Sequence, residues 1–363
     1  MGLVGIAKGE AAAAGRWANP SFAYAREQTG GPPDGSTEGY FLFSQSLDLS
    51  GSLRLRREAA ERRVGSATLD VAHRRLAIAA EIQRGFYEVL SLQQRVECGE
   101  RWLGKVQEVL KMVAKREEAG DISGYDRRRL ERERASIEVA IEADRGLLER
   151  AGQNLAAMLG IEDPPEASGD LLPSAPPLPI DQLLGRVPGR ADLRSLAESA
   201  EAAEMDGRAA GRWWMPSLDI GAGLKRVDIG DRRVTGPLFQ ATVSLPIFNR
   251  NQGEKLVAES LAKRARAEQA LGATRAAGEI RGIYMQAVRL GEAAKRFGEE
   301  AGGYSADLVR IAEAAYKADE TGVLELVDAY HGALEAETKS IQIALEARNA
   351  RIDLELAAGA GGE

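Results

Sequence analysis

The chain has 363 residues, enough for two ordinary domains or one large repetitive one. Lys and Arg number 48 against 55 Asp and Glu, so the net charge is −7; this mild acidity argues against a nucleic-acid binder. One Cys (Cys98) and two His (His73 and His331) are too few for a Cys/His zinc site or a Cys/His or Ser/His enzyme. We therefore expect no metal ligands, no cofactor and no catalytic residues. No run of about 18 apolar residues is present, which excludes a membrane-spanning helix.

Two halves of the chain repeat the same motifs in the same order. At a spacing of 196 residues, Gly15-Arg16-Trp17-x-x-Pro20-Ser21-Phe22 recurs as Gly211-Arg212-Trp213-x-x-Pro216-Ser217-Leu218. At a spacing of 202, Gly51 matches Gly253, and Gly120-x-x-Ser123-x-x-Asp126 matches Gly322-x-x-Glu325-x-x-Asp328. At a spacing of 199, Leu155 to Gly160 match Leu354 to Gly359. Such a long period is not that of a solenoid, and it predicts a duplicated, domain-sized unit.

In chain order, the first repeat begins with only residues 7–16 of a helix-like stretch that the second repeat has in full at about 189–212. We therefore expect the chain to be an N-terminally shortened version of a longer precursor. A hairpin follows, with strands at 21–26 and 40–49 and a Gly/Pro loop at 30–35 between them. Its alternation is imperfect, because Tyr40 and Leu42 are apolar where polar residues are expected.

The second hairpin alternates cleanly. Leu218, Ile220, Ala222 and Leu224 share one face, and Asp219, Gly221, Gly223 and Lys225 share the other. After a polar turn at 230–233, residues 238–248 alternate again, with Phe239, Ala241, Val243 and Leu245 on the apolar face. A period of two residues predicts strands with one apolar and one polar face.

Each hairpin is followed by a very long helical pattern without Pro, a Gly-bearing turn and a returning helix. The predicted organisation is a first repeat at 1–160 (hairpin about 20–49, helices about 52–118 and 123–159), a Pro-rich connector at 161–188, and a second repeat at 189–363 (helix about 189–212, hairpin about 216–248, helices about 253–318 and 323–358). At 1.5 Å per residue the first long helix would be about 100 Å long, more than a compact globular domain holds.

The duplicated unit resembles the TolC-like outer membrane efflux proteins. The resemblance depends on the strand entries at 19–22 and 215–218, the strand-to-helix junctions at 45–51 and 244–253, and the two tip motifs, and it covers 15–359. The first junction, Gln-x-Leu-Asp-Leu-x-Gly followed by Arg54, Arg56 and Arg57, is most similar to the heavy-metal cation efflux branch.

The resemblance implies a mainly α fold with a small β part. Each unit would be a β-hairpin plus a long antiparallel helical hairpin, and a homotrimer would form a 12-stranded outer-membrane β-barrel continuous with a periplasmic α-helical barrel. The implied function is a passive exit duct for small molecules or metal cations, surrounded by outer-membrane lipid and reaching into the periplasm of a Gram-negative bacterium. Its implied partners are a periplasmic adaptor protein and an inner-membrane efflux pump.

The tips carry the candidate functional residues. By the resemblance, Glu325 and Asp328 would form acidic rings at the pore constriction and favour cations; ordinary acidic residues at a helix N-terminus are the alternative. Gly120, Ser123, Asp126, Gly322 and Tyr316 are candidates for tip or adaptor contacts. Capping explains Ser123 and Asp126 nearly as well, and buried packing is the commoner outcome for a tyrosine such as Tyr316.

Trp17, Trp213 and Trp214 precede strands, which suits aromatic residues at a membrane interface, although corner packing explains them equally. We expect surface or packing roles for His73 and His331. The main alternative function is a soluble coiled-coil scaffold, which explains the long charged helices but not the alternating hairpins. Its signature would be sustained heptads, and the apolar spacing is irregular.

Overall fold

In a computed structural model, the structure describes residues 2–30, 35–120, 123–229 and 231–360. Within them the helices are α1 (Gly2–Ala13), α2 (Ser52–Glu118), α3 (Gly124–Leu159), α4 (Ile180–Arg186), α5 (Ala191–Ala210), α6 (Gln252–Lys317) and α7 (Val323–Ala357). The strands are β1 (Ser21–Thr29), β2 (Ser36–Leu47), β3 (Ser217–Ile229) and β4 (Arg232–Ser244). No helix in these ranges combines the length and apolar character needed to cross a bilayer.

The chain divides into two compact units, and each contains segments of both repeats. The sheet unit comprises Met1–His73 and Pro188–Ala273, and the tip unit comprises Arg74–Val187 and Thr274–Glu363. The long helices α2 and α6 each contribute to both units. Duplication in sequence therefore does not produce two separate domains, because each repeat supplies only part of each core.

The four strands of the sheet unit form one antiparallel sheet in the order β1-β2-β3-β4. Each hairpin pairs within its own repeat, with Ser21 opposite Ser44 and Ser217 opposite Ser244. The two hairpins are joined along β2 and β3, where Leu47 lies opposite Leu218. The sequence pattern predicts the two hairpins but not this junction between the repeats.

Several strand boundaries differ from those predicted. β1 continues to Thr29, and β2 occupies Ser36–Leu47 rather than 40–49. β4 begins at Arg232, inside the predicted polar turn, and ends at Ser244 instead of 248. It ends there because its neighbour β3 begins at Ser217, directly after Pro216, so the ladder between them stops. The predicted loop residues 31–34 and 230 lie outside the described residues.

In the sheet unit, α5 packs against both α2 and α6 through small side chains. The Ser66 hydroxyl on α2 lies 2.9 Å from the hydroxyls of Ser195 and Ser199 on α5. Towards α6, a Cβ at Gly207 would meet the Ala258 side chain at 3.6 Å. Ala200, Ala203 and Ala210 are buried on α5. Small residues let helix backbones approach closely, which accounts for the Ala-rich composition of this stretch.

The tip unit has a conventional apolar core. Its buried members include Trp102, Val106 and Val109 of α2, Leu130 of α3, and Leu326 and Tyr330 of α7. Cys98 is buried with them, and its thiol donates a hydrogen bond to the Glu337 carboxylate at 3.1 Å. Burial, reinforced by this carboxylate, raises the pKa of the Cys98 thiol to about 12. Because only the thiolate is reactive, Cys98 is an inert core residue.

The Pro-rich connector is more ordered than a linker. It contains α4 and a short 3-10 turn at Val187–Gly189, and Ala167 and Leu171 are buried in a second core cluster of the tip unit. The Arg348 guanidinium donates hydrogen bonds to the carbonyl oxygens of Asp170, Leu171 and Leu172 at 2.8–2.9 Å and stacks on the Tyr87 ring at 4.4 Å. One arginine thus fixes the connector to α7 and α2.

The first strand-to-helix junction is organised by the Asp48 carboxylate. It accepts hydrogen bonds from the Ser50 hydroxyl at 2.6 Å and from the backbone N–H of Leu53 at 2.8 Å. Partial burial opposes ionisation, but these hydrogen bonds outweigh it and lower the pKa of Asp48 below its usual value of 3.8. Asp48 therefore caps the first turn of α2 and stabilises the junction as an anion.

Arg212 of the second repeat holds the same junction from the other side. Its guanidinium donates to the Ser50 carbonyl at 2.5 Å. Gly51 has φ +65°, and a Cβ there would lie 2.7 Å from Arg212 Nη1. Gly51 is therefore required both by its left-handed backbone and by the close approach of Arg212.

The second junction corrects the predicted match of Gly51 with Gly253. Asn251, not Gly253, precedes α6 in the left-handed region, with φ +53°. The Lys255 N–H donates to the Asn251 carbonyl, as the Leu55 N–H does to the Gly51 carbonyl. The equivalent residue is therefore Asn251, at a spacing of 200. Asn is among the non-glycine residues that tolerate this conformation.

We expect replacement of Asp48 with Ala to destabilise the protein by about 1 kcal/mol at pH 7, because the cap is lost. The folded pKa of Asp48 is lowered, so its contribution is present above the unfolded pKa and disappears as the pH falls through the folded value. The difference in urea midpoint between wild type and Asp48→Ala should therefore shrink below about pH 4. The matched control is Asn249→Ala, since the uncharged Asn249 side-chain oxygen accepts the backbone N–H of Asn251 at the second junction. A difference for Asp48→Ala that does not change with pH would contradict this role.

Candidate functional site: the outer face of the sheet and the helix tips

One face of the sheet is apolar and exposed to solvent in the single chain. Phe43 on β2 is 55% exposed and Phe239 on β4 is 79% exposed. The strand register places these apolar side chains on one side, here called the outer face: Phe22, Tyr24, Phe41, Phe43, Ile220, Ala222, Leu224, Phe239, Ala241 and Val243. This confirms the predicted apolar face of the second hairpin. Water-soluble proteins rarely expose so extensive an apolar surface.

The opposite face of the sheet is polar and carries glycines. The Ser46 hydroxyl donates to the Asp219 carboxylate, and Lys225 Nζ lies 2.5 Å from a Glu38 carboxylate oxygen. Leu42 also lies on this face, yet it is only 5% exposed. A Cβ at Gly221 would lie 3.0 Å from Leu42 Cδ1, so the absent side chain provides the space that Leu42 fills. The apolar residue Leu42 on the polar face thus has a local packing cause.

The two edges of the sheet are open. β1 and β4 lie at the ends of the strand order, and neither has an outer neighbour among the described residues. Both strands are exposed along nearly their whole length. An unpaired edge presents a row of backbone N–H and C=O groups that can pair with another strand.

The three tryptophans lie near the base of the sheet, just before β1 and β3. Trp17 and Trp214 are exposed, the latter at 62%, whereas Trp213 is half-buried with the Arg250 guanidinium 5.2 Å from its ring centre. Trp213 therefore makes a corner contact, and Trp17 and Trp214 are available to an interface. Their role at a membrane surface remains a prediction.

The tip turns of the two repeats have the same backbone geometry at a spacing of 199. Ser123 is the N-cap of α3 and Gly322 the N-cap of α7. Gly120 has φ +84° and Asp319 has φ +62°. Their N–H groups also donate to equivalent carbonyls, those of Glu117 and Tyr316. The predicted match of Gly120 with Gly322 is therefore wrong by three residues, and the residue equivalent to Gly120 is Asp319.

This equivalence changes which acidic residues correspond. Asp126 and Glu325 occupy the same position in the first turns of α3 and α7, so both repeats place a carboxylate there. Asp328, in contrast, corresponds to Arg129. These two form an ion pair, with Arg129 Nη2 3.5 Å from Asp328 Oδ1. Asp328 is therefore partly neutralised, whereas no ion pair of Asp126 or Glu325 is found among the described residues.

Ser123 and Tyr316 have clear local roles. The Ser123 hydroxyl accepts the backbone N–H of Tyr125 at 3.1 Å, which caps α3. Tyr316 is buried, and the Arg116 guanidinium lies 5.5 Å from its ring centre while pairing with Asp319 at 2.6 Å. The side chains of Arg116, Tyr316 and Asp319 line a cavity of about 450 Å³ together with Asp126, Gly322 and Leu324. Gly120, Ser123, Asp126, Gly322 and Tyr316 thus lie around the tip, and the adaptor contact remains a prediction.

Neither histidine lies in a ligand cluster. His331 Nδ1 is 3.0 Å from a Glu133 carboxylate oxygen, and His73 lies on α2 in the sheet unit. In the part of the chain that the structure describes, no three His, Cys, Asp or Glu side chains converge on a point where they could hold a metal ion.

Comparison with known proteins gives one family and several similar folds. The family model "Outer membrane efflux protein" matches residues 13–161. The cobalt-zinc-cadmium resistance protein CzcC of Cupriavidus metallidurans is 30% identical over 230 residues, which are 61% of this chain and 53% of the relative. The match therefore spans about half the length of that curated relative.

Two solved structures share the fold. The open state of the MtrE outer membrane channel of Neisseria gonorrhoeae has a TM-score of 0.79 at 18% identity, covering 99% of this chain and 84% of that one. The outer membrane protein VceC of Vibrio cholerae has a TM-score of 0.77 at 20% identity, covering 100% and 92%. These likenesses confirm the predicted fold class, a mainly helical chain with a small antiparallel sheet. The family match over residues 13–161 and the similarity to CzcC confirm the resemblance inferred from the sequence: the chain is similar to outer membrane efflux proteins.

Proposed function

We propose that this chain is one subunit of a homotrimeric outer-membrane channel that serves as the passive exit duct of a tripartite efflux system. The observation that carries the proposal is the exposed apolar outer face of a sheet whose two edges are both open. An apolar face without a covering layer suits lipid, and open edges within a bilayer are too costly because no water is present to satisfy the backbone.

Oligomerisation would pair the two open edges of the sheet, and the closed sheet could then expose its apolar face to lipid. Bacterial outer-membrane barrels have an even number of strands and at least about eight of them. Four strands per chain are too few, whereas two copies would give eight and three give twelve. The resemblance to TolC-like proteins, which implies a homotrimer, favours three. In such a barrel the outer face contacts lipid and the polar, glycine-bearing face lines a water-filled interior. Trp17, Trp213 and Trp214, just before β1 and β3, then lie near the periplasmic rim of the barrel.

The helices would form the periplasmic part of the duct. A helix of 67 residues, such as α2, is about 100 Å long, and its Ala-rich neighbours support side-by-side packing. This duct needs no catalytic residue, because an inner-membrane pump reached through a periplasmic adaptor supplies the driving force. The exposed turns at Gly120 and Gly322 are the surface we assign to the adaptor.

Divalent metal cations are the substrate class we assign to the duct. Similarity to a cobalt-zinc-cadmium resistance protein supports this assignment, as do the acidic tips. Asp126 and Glu325 occupy equivalent positions, so three copies would present six equivalent carboxylates. A ring of like charges at a narrow opening favours cations. Asp328, paired with Arg129, contributes less.

The outer face provides a test that separates a membrane channel from a soluble scaffold. We expect Phe239→Arg to lower the stability of the assembled protein by about 2–4 kcal/mol, because the charge enters the lipid. The matched control is Gln240→Arg, the adjacent residue on the polar face of β4. The measurement is the yield of heat-resistant oligomer in outer membranes. In a soluble scaffold the exposed Phe239 would tolerate Arg, so equal yields for the two variants would contradict the channel.

The tips provide a test of conduction. In planar bilayers under a KCl gradient, we expect the wild-type protein to conduct with a preference for cations. In the double variant Asp126→Ala/Glu325→Ala, the cation-to-anion permeability ratio should fall severalfold, since the ring charge is removed. Asp328→Ala, the control, should change the ratio less. No conductance from the wild type would contradict the duct, and an unchanged ratio in the double variant would remove these carboxylates from the pore.

A further inference from the structure

The two hairpins are built in the same register. Ser21 and Ser217 follow the same Pro in the repeated motif, and they lie opposite Ser44 and Ser244 respectively. Ser244 is therefore the counterpart of Ser44, at a spacing of 200. The left-handed residues Gly51 and Asn251 that precede α2 and α6 have the same spacing. Positions in the second strands of the two hairpins can thus be equated residue by residue.

The seam between β2 and β3 shows how one repeat joins the next. It pairs the second strand of one hairpin with the first strand of the following hairpin, with Ser44 opposite Gly221. Among the described residues the two edge strands have no such partner: β4 is the second strand of its hairpin, and β1 is the first strand of its own. The counterpart of Ser44 is Ser244, and the counterpart of Gly221, at the spacing of 196, is Ala25.

We propose that β4 of one copy pairs antiparallel with β1 of a second copy of this chain, in the register that places Ser244 opposite Ala25. The inference rests on the proposed function, because it requires copies to assemble side by side. It goes further by identifying the residues that meet. Three such seams close a ring of twelve strands with one repeated pairing rule.

This register keeps the outer and polar faces of the sheet aligned across the seam, with one charged residue, Arg26, lying opposite Val243 on the outer face. On the outer face Leu245 lies opposite Tyr24 and Ile247 opposite Phe22, four side chains that are all exposed in the single chain. On the polar face Thr242 lies opposite Glu27. A shift of one residue would place the apolar side chains of one strand opposite the polar side chains of the other, since the side-chain period is two.

The register would also pair β4 beyond Ser244, where the Ile247 N–H donates to the Leu245 carbonyl oxygen in a tight turn in the single chain; pairing with β1 requires this turn to straighten. β2 continues to Leu47 because β3 pairs with it there, and Ile247 is the counterpart of Leu47. The close backbone contact at Gly223 is not repeated at the new seam. A Cβ at Gly223 would lie 1.9 Å from the Phe41 carbonyl oxygen, and the counterpart of Gly223 is Glu27. We therefore expect ordinary ladder spacing at the new seam rather than this close approach.

Cysteine cross-linking in outer membranes tests the register. With Cys98 replaced by Ala, the principal variant is Ala25→Cys/Ser244→Cys. Two controls on the same face are off by two residues: Ala25→Cys/Thr242→Cys and Ala23→Cys/Ser244→Cys. Directly opposed residues have Cα atoms about 4.5–5.5 Å apart, which a disulfide can bridge, whereas diagonal neighbours fit poorly. Within one chain β1 and β4 are three strand spacings apart, roughly 14 Å, so any disulfide joins two copies.

We expect the principal variant to give covalent dimers and trimers about tenfold above both controls on non-reducing gels, because only its geometry suits a disulfide. The outer-face pair Arg26→Cys/Val243→Cys is a second variant in the same register, should the first assemble poorly. A trimer that cross-links only through an off-register pair overturns the register and leaves the proposed duct intact. A protein that is monomeric in the membrane overturns both.

Discussion

The unpaired backbone groups at the two edges of the sheet are the main constraint on how this chain can assemble. β1 and β4 each carry a row of N–H and C=O groups without a neighbouring strand among the described residues, next to a face of aromatic and aliphatic side chains. In water such a sheet invites association, and in lipid the unsatisfied groups are too costly to persist. In the channel that we propose, closure with further copies would satisfy the edges, and the apolar face would contact lipid.

Duplication makes closure possible with a single chain type. The seam between β2 and β3 already joins one repeat to the next, and the same seam can join one copy to the next. The repeats are not identical, however. Leu42 fills space left by Gly221 only at the internal seam, and Arg129 stands at the tip of the first repeat where the second has Asp328. A ring of copies would therefore alternate between two related but chemically distinct kinds of contact.

Patterns with a strong physical period were readable from the sequence. Alternation placed Ile220, Ala222 and Leu224 on the outer face, because strand side chains alternate between faces. Equating the repeats by residue type failed at the turns. Gly51 and Gly120 have the same backbone conformation as Asn251 and Asp319, so matching glycine with glycine misplaced both turns. The end of β4 depends on where its partner strand β3 begins. The ordered conformation of the connector depends on hydrogen bonds from Arg348. Both partners are distant in sequence, so local patterns do not reveal them.

The most direct test of the central claim is the mass of the assembled protein. The protein would be directed to the outer membrane of a Gram-negative host, extracted in detergent and measured by light scattering with the detergent contribution subtracted. We expect a protein mass three times the 39.0 kDa of one chain. A monomer or dimer recovered from the membrane, or a protein that never enters it, would contradict closure of the sheet by three copies.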